Sequence, residues 1–173
     1  MNLNIKLLIL PIGEVDNQTF QTLKIRLGKI FDSVEILKSI DLLESAYNPR
    51  RRQYLSDRFL ARVKKVAGDH VLGITDVDLY TPDLNFVFGQ AQLPGKAAVI
   101  SIARLHSNRE ELYISRIIKE AVHEIGHTLG LRHCEDIHCV MHFSNSLMDT
   151  DIKGEEYCER CWELLEKFTL PGL

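Results

Sequence analysis

The stretch from Ala121 to Met141 reads AVHEIGHTLGLRHCEDIHCVM and carries the residues on which the fold and the function depend. Apolar residues in and before this stretch recur at helical spacing, so a long helix is predicted from Asn108 onward. They form one stripe: Ile114, Ile118, Val122, Ile125 and Leu129. Gly130 is placed to end this helix, because glycine adopts a positive φ without steric cost.

Two histidines within this helix have the spacing of metal ligands. His123 and His127 are four residues apart and therefore about 40° apart around the helix axis, so that one metal ion can contact both. Glu124 lies one residue round the helix from His123, near the metal yet free to take a proton from a water molecule that the metal activates. We interpret Glu124 as the general base.

A catalytic zinc needs a third protein ligand and leaves its fourth position for water or substrate. His133 is the candidate, but on a straight helix it would lie about 240° round from His127. Gly130 removes this difficulty, since a turn at a glycine can bring His133 back toward the metal. The spacing therefore predicts both a ligand at His133 and a turn at Gly130.

The motif resembles a known family signature. HEIGHTLGLRH matches the pattern HExxHxxGxxH of the metzincin clan of zinc peptidases at every fixed position. The continuation, with Cys134, Cys139, Met141 and the pair Cys158-x-x-Cys161, is similar to the archaemetzincin family. Sixteen residues separate Met141 from Cys158, one fewer than the family pattern has.

The resemblance implies a zinc peptidase with a catalytic zinc on the three histidines and a structural zinc on four cysteines. It also implies that a methionine lies beneath the catalytic metal as a packing floor without binding it. Met141 holds the family position, and Met148, in SLMD, is the lesser candidate.

The four cysteines all fall in the last 40 residues: Cys134, Cys139, Cys158 and Cys161. In a reducing compartment they are better explained as the ligands of a structural zinc than as two disulfides. Buried free thiols and the three possible disulfide pairings stay open as alternatives. His138 or His142 could also replace one thiol.

The rest of the chain alternates strands with helices. Strands are predicted at 3–10, 33–40, 70–75, 85–90 and 97–104, and helices at 19–31, 50–67 and 155–168. This order is typical of a largely parallel sheet with right-handed crossovers. Only six residues separate 85–90 from 97–104, which favours an antiparallel pair.

The expected fold class is therefore α/β, or α+β in some schemes. We expect a metzincin-like, mixed twisted sheet with one antiparallel edge strand, an active-site helix and a small zinc-stabilised C-terminal subdomain. All of 1–173 should form a single domain. Its N-terminal α/β part, 1–130, contains the active-site helix, and its C-terminal part, 131–173, contains the cysteines.

Composition narrows the class of protein. The chain has 173 residues, of which 45% are hydrophobic and 26% charged, as in one soluble globular domain. The net charge of -3 gives no global attraction to nucleic acid or to an anionic membrane. The apolar N-terminal run stops at Pro11 without a cleavage site, so we interpret it as a strand and not as a signal peptide. A cytoplasmic monomer without membrane partners is expected.

The sequence therefore predicts a zinc-dependent metallopeptidase with two zinc ions per chain, acting on a peptide or protein substrate with Glu124 as the base. One alternative is a zinc-stabilised peptide- or protein-binding module with little or no catalysis. Another is a nucleic-acid-binding zinc protein that uses the basic residues between Arg50 and Lys65. Such a run is more often a solvated helix face, so nucleic acid is not an expected partner.

Overall fold

The fold is described for residues 2–169 of a computed structural model. Its strands are β1 (Leu3–Ile12), β2 (Phe31–Ile36), β3 (Tyr47–Asn48), β4 (Gln53–Leu55), β5 (His70–Thr75), β6 (Leu79–Tyr80), β7 (Gly89–Ala91) and β8 (Ala97–Ser101). Its helices are α1 (Asn17–Leu27), α2 (Ser56–Lys64), α3 (Glu110–Thr128), α4 (Leu147–Ile152) and α5 (Glu159–Thr169), and a short 3-10 turn spans Glu44–Ala46.

The main sheet has five strands in the order β2-β1-β5-β8-β7. The first four run parallel, whereas β7 pairs antiparallel with β8 at the edge. This confirms the expected mixed sheet with one antiparallel edge strand. A smaller sheet joins β3, β4 and β6.

Helices cover both faces of the main sheet. On one face, α1 and α3 share an apolar core that includes Phe20, Leu23 and Ile117. On the other face, α2 contributes Phe59 and Val63, both fully buried. Because both faces are covered, the central strands are almost continuously apolar, as buried parallel strands are.

The predicted helix over 50–67 is wrong in its first six residues, and the helix ends at Lys64. Residues 50–52 form a turn in which the side chain of Asn48 accepts hydrogen bonds from the backbone nitrogens of Arg50 and Arg51. Arg52 has a φ of +55°, and β4 follows before α2 begins at Ser56. The turn chemistry of Asn48 overrides the helical pattern.

Other predicted bounds also differ. The strand predicted at 33–40 is β2 and spans 31–36, and the helix predicted at 19–31 ends at Leu27. The strand predicted at 85–90 is reduced to β7, because the carbonyls of Leu84 and Asn85 accept hydrogen bonds from Arg51 instead of from a strand. The strand predicted at 97–104 ends at Ser101, and the last helix begins at 159 instead of 155.

The C-terminal residues pack on the same core as α3. Val140, Met141, Cys161 and Leu165 are all buried in the cluster that also contains β1 and α3. Residues 170–173 of the predicted C-terminal part lie outside the described residues. Within 2–169, no helix is both long and apolar enough to span a bilayer.

Candidate metal centre and active-site cleft

Helix α3 brings His123 and His127 together on one face. Their Nε2 atoms lie 3.1 Å apart. The Nδ1 of His123 lies 2.8 Å from the carbonyl oxygen of Val140, and the Nδ1 of His127 lies 2.7 Å from that of Leu131. A carbonyl oxygen only accepts, so each Nδ1 carries the proton and each Nε2 presents a lone pair. Two nitrogen lone pairs that face each other at this distance repel each other unless a cation lies between them.

His133 reaches the same point after a turn. Gly130 has a φ of +99°, and its backbone nitrogen donates to the carbonyl of His127 as α3 ends. The ring centroid of His133 lies 5.3 Å from that of His123 and 5.0 Å from that of His127. One ring nitrogen from each histidine falls within 4.8 Å of the others, so the structure brings the three predicted ligands together.

The protonation states of the triad suit a metal. Burial lowers the pKa of His123 well below its ordinary value, and it also lowers the pKa values of His127 and His133. All three imidazoles are therefore neutral at neutral pH, which is the form that binds zinc. With Nδ1 held by carbonyls and Nε2 free, the donor set fits a zinc ion that keeps one position open.

Glu124 lies on the floor of the same cleft. It is buried, and burial together with the negative charge of Glu120 raises its pKa to about 8, whereas Lys153 works in the opposite direction. Strand β7 crosses directly over it at Gly89. A Cβ built on Gly89 would lie 2.6 Å from Oε1 of Glu124, so only glycine leaves room for the carboxylate there.

The two candidate methionines have different surroundings. Met141 is fully buried, and a Cβ on Gly126 of α3 would overlap its sulfur. Met141 therefore packs beneath the helix that carries His123 and His127, as the resemblance implied for the methionine under the metal. Met148 is 71% exposed and lies on α4.

The four cysteines form a second cluster beside the triad. Their Sγ atoms all lie within 4.8 Å of one another, and Cys134–Cys158 and Cys139–Cys161 are each 3.7 Å apart. A disulfide would need about 2.05 Å. A zinc tetrahedron with bonds of about 2.3 Å has edges of about 3.8 Å, so these thiols fit a structural zinc. His138 and His142 are outside the cluster.

The cleft above the triad has a volume of about 500 Å³. The stretch before and within β7 forms one wall, and the segment after Met141 forms the other. Its lining includes Phe86, Gly89, Leu93, Glu120, His133, Phe143, Ser144 and Asn145. Sequence reasoning missed Glu120, although it lies three and four residues before His123 and Glu124 and therefore on their helix face. No sequence signal pointed to Ser144.

The basic run is partly engaged within the protein. The guanidinium of Arg51 lies 4.1 Å from the ring centroid of Tyr80 and donates to the carbonyl of Leu84 at 2.6 Å. This side chain supports the loop before β7.

Comparisons with known proteins agree with this geometry. The model of "Peptidase family M54" matches residues 11–167. An archaemetzincin of Methanocaldococcus jannaschii is 46% identical over 168 residues, which cover 93% of each chain. Two crystal structures of archaemetzincins are also similar. That from Methanopyrus kandleri has a TM-score of 0.87 and 40% identity, with 95% of each chain covered. That from Archaeoglobus fulgidus, complexed with malonate, has a TM-score of 0.86 and 43% identity, with 92% of this chain and 99% of that chain covered.

The family model spans most of the chain, and the relatives share a large part of its sequence. Together they show which protein family carries this metal-binding motif. The chain is a member of peptidase family M54, the archaemetzincin family of zinc metallopeptidases.

Proposed function

We propose that this metallopeptidase binds its catalytic zinc through His123, His127 and His133 and uses Glu124 as the general base. The observation that carries the proposal is the convergence of three neutral imidazoles beside a buried carboxylate at the floor of one cleft. When bound, zinc would supply a Lewis acid that acidifies water and polarises the peptide carbonyl.

Glu124 would then transfer the same proton in two successive steps. The positive charge of a zinc ion in the triad would lower the pKa of Glu124 from its raised value and favour the carboxylate. This carboxylate accepts the proton of the attacking water, and the resulting carboxylic acid returns that proton to the nitrogen of the leaving amine. The close approach of Gly89 holds the carboxylate in one place while this happens. Such acid–base catalysis is typically worth about 10²- to 10⁴-fold in rate.

The cleft suits an extended peptide. Strand β7 lies at the edge of the sheet, so one of its sides can pair with the backbone of a substrate. Phe86 and Phe143 lie on opposite walls of the cleft and add apolar surface. Peptides and proteins are therefore the proposed substrates.

The second cluster has a structural role in this proposal. Cys134, Cys139, Cys158 and Cys161 would hold a zinc with no position left for water, since four thiolates complete its coordination. This zinc would tie the start of α5 to the segment that follows His133.

The test compares the zinc-loaded wild type with Glu124→Gln on an unbiased peptide mixture. New termini are identified by mass spectrometry, and the zinc content of both proteins is measured. We expect cleavage by the wild type and at least about 100-fold less by the variant, with equal zinc content. If the variant lost zinc together with activity, Glu124 would be a ligand and not the base. If the folded, zinc-loaded wild type cleaved nothing, a binding module would replace the proposed peptidase.

A further inference from the structure

One carboxylate in the cleft has no role in the proposed mechanism. Glu120 lies one turn before His123 and Glu124 on α3, and its side chain lines the cleft although only 3% of the residue is exposed. Among the residues that line this cleft, only Glu120 and Glu124 carry a carboxylate, and none is Lys or Arg. A buried carboxylate is costly unless a partner compensates its charge, so its surroundings are informative.

Glu120 is held in a fixed orientation from behind. Its Oε1 lies 3.1 Å from the Nζ of Lys153, which is itself fully buried, and 3.4 Å from the hydroxyl of Thr150. The Nζ of Lys153 also donates to the carbonyl of His142 at 3.4 Å. Lys153 does not line the cleft. A ligand in the cleft therefore meets the carboxylate and not the ammonium that supports it.

Two acceptors in this part of the cleft have no donor. In the described chain no hydrogen bond reaches Oε2, the other carboxylate oxygen of Glu120, which is not enclosed within the protein. The hydroxyl oxygen of Ser144, which belongs to the same cleft lining, is buried and also has no hydrogen-bond partner in the described chain. Oε2 of Glu120 is therefore open to a group that enters the cleft, and the hydroxyl of Ser144 has no internal partner, so a ligand that donates hydrogen bonds finds acceptors here.

We propose that Glu120 and Ser144 form a subsite for a positively charged group of the substrate, an ammonium or a guanidinium. The anchored carboxylate supplies the charge complement, and the hydroxyl of Ser144 accepts a second hydrogen bond from the same group. The inference rests on the proposed peptidase function and adds a substrate class to it. Glu120 determines specificity in this account and does not itself transfer a proton, although its charge contributes to the raised pKa of Glu124.

The positively charged group could belong to a Lys or Arg side chain or to a free amino terminus. The following experiment distinguishes these two sources. A series of peptides carries a single Lys at successive positions, each paired with a norleucine peptide of nearly the same shape. Every peptide is made with a free and with an acetylated amino terminus. Cleavage is measured as kcat/KM, and binding is measured on zinc-loaded Glu124→Gln, so that recognition is detected even where cleavage is absent.

The proteins are the wild type, Glu120→Gln, Ser144→Ala and the surface control Glu163→Gln. We expect the wild type to prefer Lys over norleucine at one position, or a free over an acetylated terminus, by about 10- to 100-fold. Glu120→Gln should reduce this preference to within about 3-fold. The preference is a ratio of two peptides on one protein, so a change at Glu124 that affects both peptides equally leaves the ratio unaltered. Ser144→Ala should reduce it less, and Glu163→Gln not at all. Ser144→Ala leaves the Lys153 pair intact, so it tests the subsite even if Glu120→Gln fails to fold.

A wild type without any charge preference in cleavage or binding would overturn the proposal. So would an equal loss of cleavage for charged and neutral peptides in Glu120→Gln, because Glu120 would then only position the cleft wall. Failure of the proposed peptidase function has a different signature. No peptide would be cleaved by the wild type, while the charge preference in binding would survive and still depend on Glu120.

Discussion

The Nδ1 of His123 lies 2.8 Å from the carbonyl oxygen of Val140, a residue flanked by Cys139 and Met141. A histidine of the triad is thus oriented by backbone that the cysteine cluster holds in place. His133 is tied to the same cluster because Cys134 follows it directly. We therefore expect the two candidate metal centres to be coupled, since a partner that fixes the ring of a ligand typically affects metal affinity by about 10- to 100-fold.

Cys161→Ser tests this coupling. The variant should lose one zinc per chain. Its free energy of unfolding should fall by more than about 3 kcal/mol, because structural zinc sites contribute folding energy directly. The triad should also bind zinc more weakly. Metal analysis during dialysis against a chelator measures zinc binding at both sites. Urea unfolding measures the change in stability. The control is His138→Ala, an exposed neighbour outside the cluster, which should keep both zinc ions. Full zinc occupancy at unchanged stability in Cys161→Ser would contradict the assignment of this thiol as a ligand.

Gly89→Ala tests the close approach of β7 to the proposed base. The added Cβ would fall 2.6 Å from Oε1 and 2.8 Å from Cδ of Glu124, so the carboxylate must move. Displacement of a reacting group by about 1 Å can cost about 100-fold in rate. We expect a loss of kcat/KM of this size at unchanged zinc content, because no histidine is touched. Ala91→Gly, in the same strand, is the matched control and should stay within a few-fold of the wild type. Equal activities of Gly89→Ala and the wild type would contradict the assigned position of the base.

Substitution of the two methionines separates their roles. Met141→Ala should lower the free energy of unfolding by about 2–5 kcal/mol, since it leaves a cavity in a fully buried position beneath α3. Met148→Ala, at a position that is 71% exposed, should change it by less than about 0.5 kcal/mol. Met141→Leu, with nearly the same volume, should cost less than about 1.5 kcal/mol. Denaturant titration of the three variants decides the matter, and a large effect at Met148 would reverse the assignment.

The ion pair between Arg116 and Asp151 should make stability depend on pH. Arg116 donates from Nε and Nη2 to the two carboxylate oxygens at 2.7 Å each, and these hydrogen bonds hold the pKa of Asp151 below its ordinary value. A lowered pKa in the folded state stabilises the protein above the unfolded pKa of about 3.9, and this contribution is lost as the pH falls through the folded value.

Asp151→Asn removes this dependence. At neutral pH the variant should be less stable than the wild type by about 1–3 kcal/mol. The difference should shrink as the pH falls below about 4, where the unfolded state takes up a proton first, and should be lost once the pH has passed the lowered pKa of the folded state. Urea unfolding of both proteins at matched pH values measures it, and loss of zinc at low pH affects both equally. A difference that stayed constant with pH would mean that the carboxylate charge does not contribute.

Much of the metal centre could be predicted because its determinants are local. The spacing of His123 and His127 depends only on helix geometry, and the turn at Gly130 depends only on one residue's φ. Helix α3 itself followed from one apolar stripe, and its structural bounds differ by only two residues from the predicted ones. These features require no knowledge of what packs against them.

The parts that could not be predicted depend on contacts distant in sequence. The loop before β7 takes its shape from Arg51, whose guanidinium reaches the carbonyls of Leu84 and Asn85 across the fold. The pairing of Glu120 with Lys153 likewise joins α3 to the residue after α4. A lysine in a polar stretch resembles any surface residue, and only the fold shows that this one is fully buried.

The order of the two ligand sets along the chain has a consequence for synthesis. Cys134 and Cys139 follow the triad closely, whereas Cys158 and Cys161 come at the start of the last helix. A ribosome-bound chain that already displays every histidine and Glu124 still lacks the thiols that fix His133 and the backbone behind His123. On the proposed mechanism, all the groups that position the catalytic ligands are present only after the start of α5 has been synthesised.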